Sequence, residues 1–279
     1  MIPKRIYTAL IFLFFLAACR AQPAPVSSAG STASPANTGL SGSLTVFTAA
    51  SLTESFTEIG QRFEAENPGV KFSFNFAGSQ QLVQQLAQGA PADVLASADR
   101  MQMDAAVQAG RVISGTVRKL GGNHLVVIAP QGNPANLQEL KDLAKPGLKI
   151  VLAAQEVPAG KYALNFLAKA SQDPEFGASY KDNVLKNVVS YEENVRAVLS
   201  KVLLGEADAG VVYSTDAFSA NHGKLDLIKI PAKLNVEANY WIAPVAGNRQ
   251  AELAEAFVAY TLSPTSQGIL ADHGFLPAK

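Results

Sequence analysis

Residues 43–76 read SLTVFTAASLTESFTEIGQRFEAENPGVKFSFNF, and this stretch decides the fold. Residues 43–48 have the composition of a strand, and apolar residues then recur at the spacing of one helix face. These apolar residues are Leu52, Phe56, Ile59 and Phe63. Apolar and polar residues alternate through residues 70–76, which predicts a second strand. A strand, a helix and a strand in succession predict a parallel α/β sheet.

The same alternation of strand-like and helix-like segments continues along the rest of the chain. Further strands are predicted at residues 93–96, 125–129, 148–153, 209–213, 225–230 and 240–245. Two segments, GAPAD at residues 89–93 and GEAD at residues 205–208, each follow an amphipathic helix and lead into an apolar strand. This repeat fits an α/β fold of two lobes of similar build, which hold a ligand between them at the carboxyl ends of strands.

The N-terminal residues predict export and lipidation. Lys4 and Arg5 precede an uncharged, mostly apolar run at residues 6–18 that is too short to span a bilayer comfortably, so residues 1–18 are predicted to be a signal peptide. The four residues LAAC at 16–19 resemble the bacterial lipobox, which predicts a lipid on Cys19. An ordinary cleaved signal peptide followed by an incidental cysteine is the alternative. Cys19 is the single cysteine of the chain, which excludes a disulfide bond and a multi-cysteine metal site within it.

Residues 19–41 are predicted to comprise the lipidated cysteine and a flexible tether. They consist mostly of Ala, Gly, Ser, Thr, Pro and Asn, a composition that buries too little apolar surface to offset the entropy of ordering. The predicted location of the folded body is therefore the cell envelope, lipid-anchored at the outer face of the cytoplasmic membrane or periplasmic.

Four helix starts provide neutral groups of the kind that bind anions. The chain has 23 Lys and Arg residues and 23 Asp and Glu residues, so it lacks the basic excess of a nucleic-acid binder. A strand end and a helix start nevertheless coincide at residues 49–54, 77–81, 157–161 and 193–196. The first backbone N–H groups of a helix have no partner within it and carry about half a positive charge. Several helix starts aimed at one point therefore predict an anion site.

Each of these segments also has a purely structural interpretation. The structural alternatives are a capping box for Ser51, an N-cap for Ser79, a first-turn position for Pro158, an N-cap for Asn194 and a half-buried core position for Tyr213. The functional interpretation depends on all of these residues meeting at one place.

Six motifs, taken in order, resemble the molybdate-binding proteins of ABC uptake systems. They are VFTAASL at residues 46–52, FAGS at 76–79, GAPAD at 89–93, VPAG at 157–160, ENVR at 193–196 and GVVY at 210–213. The resemblance covers nearly the whole body of the chain. Its glycine, alanine and aspartate elements are shared with binding proteins for other oxyanions and for iron, whereas the two serines and VPAG are more specific.

The resemblance implies a ligand and the residues that bind it. The hydroxyl and amide groups of Ser51 and Ser79, the amides of Ala159 and Val195 and the hydroxyl of Tyr213 would surround molybdate or tungstate. All of these groups donate hydrogen bonds, which suits a fully deprotonated dianion better than an oxyanion that keeps a proton. Sulfate has the same charge and shape, so it would be rejected by its smaller size.

The chain departs from the family at two positions near the implied site. Thr48 stands where many members have alanine, which would add a hydroxyl there. Asn194 stands where an aspartate often precedes the valine, and this exchange removes a charge that is unfavourable beside an anion.

The resemblance also implies a type II periplasmic binding protein fold, in which two Rossmann-like lobes with mixed, mainly parallel sheets are joined by a two-strand hinge. Lobe 1 would comprise residues 42–123 and 236–279, lobe 2 would comprise residues 124–235, and strands crossing near residues 123–127 and 230–240 would form a hinge. The protein would act as a monomer, with no cofactor and no metal other than the metal centre of the oxyanion. It would close on the ion and deliver it to a membrane permease with its ATPase.

Other functions have less support in the sequence. A serine hydrolase would draw on Ser51 or Ser79 with His124, His222 or His273, but the chain has no Gly-x-Ser-x-Gly motif and no histidines at metal-ligand spacing. We therefore predict no catalytic residue. Ferric iron would need clustered tyrosines, and none of the tyrosines after the signal peptide are neighbours in the chain. Sulfate in the same fold and a tethered oxyanion sensor remain open.

Overall fold

The computed structural model describes residues 39–220 and 223–278. The predicted signal peptide, Cys19 and nearly all of the predicted tether lie outside these ranges. The predicted tether ends one residue too late, because Ser41 is the first residue of a strand and pairs with Gly69 of the neighbouring strand. Within the described ranges, no helix is long and apolar enough to cross a membrane.

Strands and helices alternate along most of the described chain. The strands are β1 (Ser41–Ala49), β2 (Gly69–Ala77), β3 (Val94–Ser97), β4 (Arg118–Asn123), β5 (Leu125–Pro130), β6 (Ile150–Ala153), β7 (Val188–Glu192), β8 (Ala209–Tyr213), β9 (Leu225–Lys229) and β10 (Ala238–Pro244). The α-helices are α1 (Thr53–Glu66), α2 (Ser79–Ala87), α3 (Arg100–Gln108), α4 (Pro158–Gln172), α5 (Tyr180–Lys186), α6 (Val195–Leu203), α7 (Ser214–Ala220), α8 (Ala251–Thr261) and α9 (Pro264–Asp272). Short 3₁₀ turns occur at Ala50–Leu52, Ser114–Thr116 and Leu140–Ala144.

The strands form two sheets, and each sheet is the centre of one lobe. In the first sheet the strand order is β2-β1-β3-β10-β4, and β10 runs antiparallel to both of its neighbours. In the second sheet the order is β7-β6-β8-β5-β9, and β5 runs antiparallel to both of its neighbours. The other strand pairs are parallel. The predicted α/β fold of two lobes with mixed, mainly parallel sheets is therefore confirmed.

The chain passes between the two sheets at two places. It first passes from β4 to β5 through a single residue, His124, and it returns from β9 to β10 through residues 230–237. These crossings lie at the predicted hinge positions.

The repeated Gly-to-Asp segments have the same structural role in both lobes. Asp93 directly precedes β3, and its Oδ2 accepts a hydrogen bond of 2.7 Å from the backbone N–H of Thr45 in β1. Asp208 directly precedes β8, and its Oδ2 accepts a hydrogen bond of 2.7 Å from the backbone N–H of Lys149, next to β6. Each carboxylate thereby ties the start of one strand to the parallel strand beside it.

Aromatic packing holds α1 in place in the first lobe. The rings of Phe56 and Phe63 meet Phe257 of α8 edge to face, with centroids 6.2 Å and 5.6 Å apart. Such pairs add to the free energy gained by apolar burial. Helix α8 thus supports the helix that follows Ser51.

Candidate ligand-binding site

One small cavity lies between the lobes, at the carboxyl ends of parallel strands from both sheets. Its lining includes all five residues implied by the resemblance: Ser51, Ser79, Ala159, Val195 and Tyr213. The remaining lining residues are small or apolar apart from Asn194, and none of the lining residues is charged.

Ser51 lies in the 3₁₀ turn between β1 and α1, and its side chain does not cap the helix. The N-cap of α1 is Leu52, which has no side-chain cap. The Oγ atom of Ser51 lies 2.8 Å from the Oη atom of Tyr240, a residue of β10, and both side chains are buried. The capping-box interpretation of Ser51 is therefore wrong.

Ser79 is the first residue of α2, and its hydroxyl faces away from the helix amides. The N-cap is Gly78, so the N-cap interpretation of Ser79 is wrong. Its Oγ accepts a hydrogen bond of 3.0 Å from the backbone N–H of Ala98, which follows β3. Because the oxygen accepts this bond, the hydroxyl proton remains available to a group in the cavity.

Two helix starts of the second lobe aim backbone amides at the same cavity. Pro158 opens α4 and Ala159 follows it, as expected for a first-turn proline. Asn194 is the N-cap of α6, and its Oδ1 accepts a hydrogen bond of 3.0 Å from the N–H of Ala197. The amides of Ala159 and Val195 belong to first turns, where helix geometry provides no acceptor. The partial positive charge of both helix starts therefore faces the cavity.

Tyr213 ends β8 and is almost fully buried, with 1% of its surface exposed. Its Oη has no hydrogen-bond partner among the described residues, so the predicted half-buried position with an edge hydroxyl is wrong. Burial raises the pKa of this phenol well above its usual value, and the neighbouring Tyr240 adds to the rise. The hydroxyl therefore stays protonated and is a free donor inside the protein.

Polar contacts join the two lobes around the cavity. Gln80 of α2 donates to the backbone oxygen of Glu193 at 2.8 Å, and Gln81 donates to the carboxylate of Glu193 at 2.9 Å. On another side, the Nζ atom of Lys161 in α4 lies 3.6 Å from Oδ2 of Asp99, which caps α3. The structure therefore represents the closed arrangement of the lobes.

A partly buried ion cluster beside the cavity also crosses between the lobes. Arg196, directly after Val195, forms an ion pair with Glu54 of α1. Its Nε atom also lies 2.7 Å from Oδ1 of Asp216, which is fully buried. This second contact is poorly aligned for a hydrogen bond, so it is mainly an attraction of opposite charges. Burial raises the pKa of Asp216 to about 6, Arg196 opposes the rise, and Glu54 adds to it.

The raised pKa predicts a pH-dependent contribution of Asp216 to stability. The folded protein binds this proton more tightly than the unfolded chain, whose aspartate pKa is about 3.9, so the contribution is present below about pH 4 and is lost as the pH rises through about 6. As the pH rises from about 4 to above 6, the unfolding free energy of Asp216→Asn is therefore expected to rise by up to about 3 kcal/mol relative to that of the wild type. Chemical denaturation across the pH range measures this, with the exposed Asp226→Asn as control. If the free energies of unfolding of the wild type and of Asp216→Asn changed equally with pH, this prediction would be contradicted.

The serine and histidine side chains do not assemble into a hydrolase site. His273 pairs with Glu58 at 2.8 Å, and His124 lies at the crossing between the sheets. His222 lies outside the described residues. The hydroxyls of Ser51 and Ser79 instead contact the phenol of Tyr240 and the amide of Ala98. In the described part of the chain, no group of three or more His, Cys, Asp or Glu side chains is arranged to hold a metal ion.

Sequence patterns missed several residues around the cavity. Thr48, predicted to add a hydroxyl, is fully buried in β1 and does not line the cavity. Tyr240 was not predicted, because it lies 189 residues from Ser51 along the chain. Asp216 was not predicted, because no local pattern relates it to Arg196, which belongs to another helix. Gly78 had a signal, the FAGS motif, but only the folded arrangement shows that a Cβ atom at this position would meet Glu193 of the opposite lobe.

Two α/β lobes closed around a small, donor-lined cavity define the class of solute-binding proteins. The chain belongs to the family of bacterial extracellular solute-binding proteins, whose family model matches residues 44–276.

Relatives within this class are binding proteins and not enzymes. The chain is 40% identical over 233 residues to the molybdate-binding protein ModA of Mycobacterium tuberculosis, with 84% of each protein covered. It is 33% identical over 240 residues to ModA of Escherichia coli, which covers 84% of this chain and 89% of that protein. The periplasmic molybdate-binding protein of Azotobacter vinelandii has the same fold, with a TM-score of 0.72, 19% identity and coverage of 85% of this chain and 100% of that one. The predicted resemblance is confirmed.

Proposed function

We propose that this protein captures molybdate or tungstate between its lobes and delivers the ion to the permease and ATPase of an ABC importer. The supporting observation is that Ser51, Ser79, Ala159, Val195 and Tyr213, drawn from both lobes, line one small cavity. The hydroxyl and amide groups of the two serines, the two helix amides and the phenol replace the hydration shell of the ion. The ion thereby favours closure, because it bonds to both lobes at once.

Neutral donors account for the charge and the selectivity of the proposed site. Arg196 and Lys161 are close to the cavity, but each is paired with carboxylates, so the donors facing the ion carry partial charges only. An oxyanion that keeps a proton would direct its own O–H group at the N–H and O–H donors of the cavity, which is unfavourable because none of them accepts that proton. Sulfate has no such proton, and we attribute its rejection to its smaller size, because rigid helix starts from two lobes cannot all move inward.

The cell-envelope location belongs to the same proposal. Residues 1–18 would direct export, Cys19 would carry the lipid, and the tether up to residue 40 would let a monomeric body move above the membrane. The hinge would divide residues 42–123 and 236–279 from residues 124–235. Support comes from the LAAC sequence and from the positions at which the chain crosses between the sheets.

A panel of oxyanions tests the proposed function directly. Ions that bind only the folded state raise its melting temperature. Molybdate and tungstate are expected to raise it at concentrations at which sulfate and phosphate have no effect, and native mass spectrometry should show one ion bound per chain. The absence of a shift with any of the four ions, or a larger shift with sulfate, would contradict the proposal.

Ser79→Ala is expected to weaken molybdate binding by about tenfold or more. The variant loses one hydrogen bond to a charged group, worth about 1.5 to 3 kcal/mol, and 1.4 kcal/mol is a factor of ten in affinity. Calorimetric titration of the purified variant measures the change. Ser114→Ala, at an exposed 3₁₀ turn, is the matched control. An unchanged titration of Ser79→Ala would remove Ser79 from the site.

A further inference from the structure

A second recess lies in the first lobe, at the end of the sheet that faces away from the ligand cavity. It encloses about 520 Å³ and is bounded by the start of β1, the loop before β3, Arg111 after α3 and the turn between β10 and α8. The parallel strands β1 and β3 direct their carboxyl ends at the ligand cavity, so this recess lies at their amino ends. An occupant of the recess therefore leaves the ligand cavity clear.

Two arginines, Arg111 and Arg249, line this recess without a partner. Their guanidinium groups form no ion pair and no hydrogen bond with any other described residue. The Nε atom of Arg111 is buried, whereas the side chain of Arg249 is exposed. The remaining arginines of the described ranges each contact a carboxylate or a backbone oxygen: Arg62, Arg100, Arg118 and Arg196. A buried charged donor without an acceptor is costly, which points to an acceptor supplied from outside the chain.

Several further donors surround the two arginines. The hydroxyls of Ser43 and Thr45 line the recess, and α8 begins there. The N-cap of α8, Gln250, provides no side-chain cap, so the first backbone N–H groups of this helix are open to an acceptor. Asp93 is the single acidic residue of the lining, and its Oδ2 already accepts from the N–H of Thr45 at 2.7 Å. In contrast to the uncharged ligand cavity, this recess therefore has a net positive charge.

The positive charge of the recess is local, and its donors fit a phosphate group. Without Lys4 and Arg5 of the predicted signal peptide, acidic side chains outnumber basic ones by two, so the chain as a whole does not attract anions. The forked N–H groups of arginine match the oxygens of a phosphate in pairs. A recess of this volume is large enough for a phosphate that carries a substituent, such as a lipid headgroup.

The recess adjoins the point at which the chain enters the folded body. Ser43 and Gln250 both line it, and a Cβ atom at Gly42 would lie 3.0 Å from Oε1 of Gln250. About twenty residues lead from Cys19 to Gly39, and a flexible segment of that length has an end-to-end distance of about 25 Å. The nine residues of β1 span about 30 Å between the recess and the ligand cavity. A lipid on Cys19 would therefore hold the recess nearer to the membrane than the ligand cavity.

We propose that this recess binds the phosphate group of anionic phospholipids, so that the first lobe rests on the membrane beside its own anchor while the ligand cavity stays free above the surface. The inference rests on the proposed cell-envelope location and adds a membrane contact to it. Weak binding is sufficient, because the tether keeps the headgroups at a high effective concentration around the recess. Only the first lobe is held, so the second lobe remains free to close on the ion.

Vesicle sedimentation measures this contact in the absence of the anchor. The exported chain with Cys19→Ser carries no acyl group, and we expect it to bind vesicles that contain phosphatidylglycerol but not vesicles of phosphatidylcholine alone, whose choline places a positive charge beside the phosphate. Arg111→Gln combined with Arg249→Gln is expected to lower the partition coefficient by about thirtyfold, or about fivefold for each arginine at an anionic surface. Lys149→Gln combined with Lys229→Gln removes the same charge from exposed side chains of the second lobe, and this matched control is expected to change binding by less than about threefold.

The outcomes separate this inference from the proposed function. Equal vesicle binding by the wild type and the arginine variant, an equal loss in the lysine control, or no binding by the wild type would overturn the inference. If vesicles do not bind and inorganic phosphate raises the melting temperature of the wild type but not of the arginine variant, the recess takes a soluble anion instead. Molybdate titration of the arginine variant is expected to match the wild type, so failure of the membrane contact leaves the proposed function standing. A chain that binds vesicles but not molybdate would remove the proposed function alone.

Discussion

Gly78→Ala is expected to weaken molybdate binding by about a hundredfold or more, with little change in the melting temperature of the ligand-free protein. Gly78 follows the last residue of β2 in the first lobe and directly precedes Ser79. A Cβ atom at this position would lie 2.5 Å from the backbone oxygen of Glu193, which belongs to the second lobe. Real Cβ contacts are essentially never this short, so the lobes could not close as they do here.

The expected loss follows from the number of donors that closure brings to the ion. If the lobes stay apart, the donors of one lobe no longer reach an ion held by the other. Two lost hydrogen bonds to a charged group cost about 3 to 6 kcal/mol, which is a factor of about one hundred or more in affinity. The side chain of Gln80 would also be close to the new Cβ, but its flexible end can move. Gly78 has φ −61° and ψ 136°, a conformation that alanine adopts without strain.

Calorimetry with molybdate measures the affinity, and small-angle scattering with and without the ion measures closure. Gly115→Ala is the matched control, because a Cβ there meets nothing within 4 Å and its backbone is not in the left-handed region. Wild-type affinity in Gly78→Ala would mean that the lobes need not approach as closely as the structure has them. A large fall in the melting temperature without ligand would instead assign the defect to the first lobe itself.

The sequence predicted the elements whose signals are local. The alternation in β2 and the apolar face of α1 each need only a few neighbouring residues. β4 was missed because Gly121 and Gly122 give a strand pattern no support, and these glycines instead allow the backbone of Leu276 to approach from the C-terminal end. β7 was missed because it lies at a sheet edge with Val189 and Tyr191 exposed, so its apolar residues mark no buried face.

The candidate site was predictable to the extent that it consists of helix starts. Ala159 and Val195 follow signals carried by adjacent residues, a proline and an N-cap asparagine. The same local rules gave the wrong capping roles for Ser51 and Ser79, because their hydroxyls bond to groups from β10 and from the end of β3. Tyr240 lies 189 residues from Ser51 along the chain, and no spacing rule relates two positions that far apart.

Gly160→Ala is expected to damage both the fold and the site. Gly160 is the third residue of α4, and a Cβ atom there would overlap the backbone oxygens of Ala153 and Ala154. Both contacts are with backbone at the end of β6, which cannot turn aside as a side chain can. The first turn of α4 must therefore move away from the strand. Overpacking costs about 1 to 3 kcal/mol and occasionally more, and two backbone contacts this short predict a loss of about 3 kcal/mol or more.

The same displacement carries the amide of Ala159 away from the cavity, since it belongs to the turn that moves. Losing one hydrogen bond to a charged group weakens binding by about tenfold to a hundredfold. Denaturation and calorimetric titration measure the two effects separately. Gly268→Ala, inside α9 with nothing within 4 Å of a new Cβ, makes the same exchange and is expected to gain up to about 1 kcal/mol of stability. Wild-type stability and wild-type affinity in Gly160→Ala would contradict this prediction. They would mean that the close packing of α4 on β6 does not determine the position of the Ala159 amide.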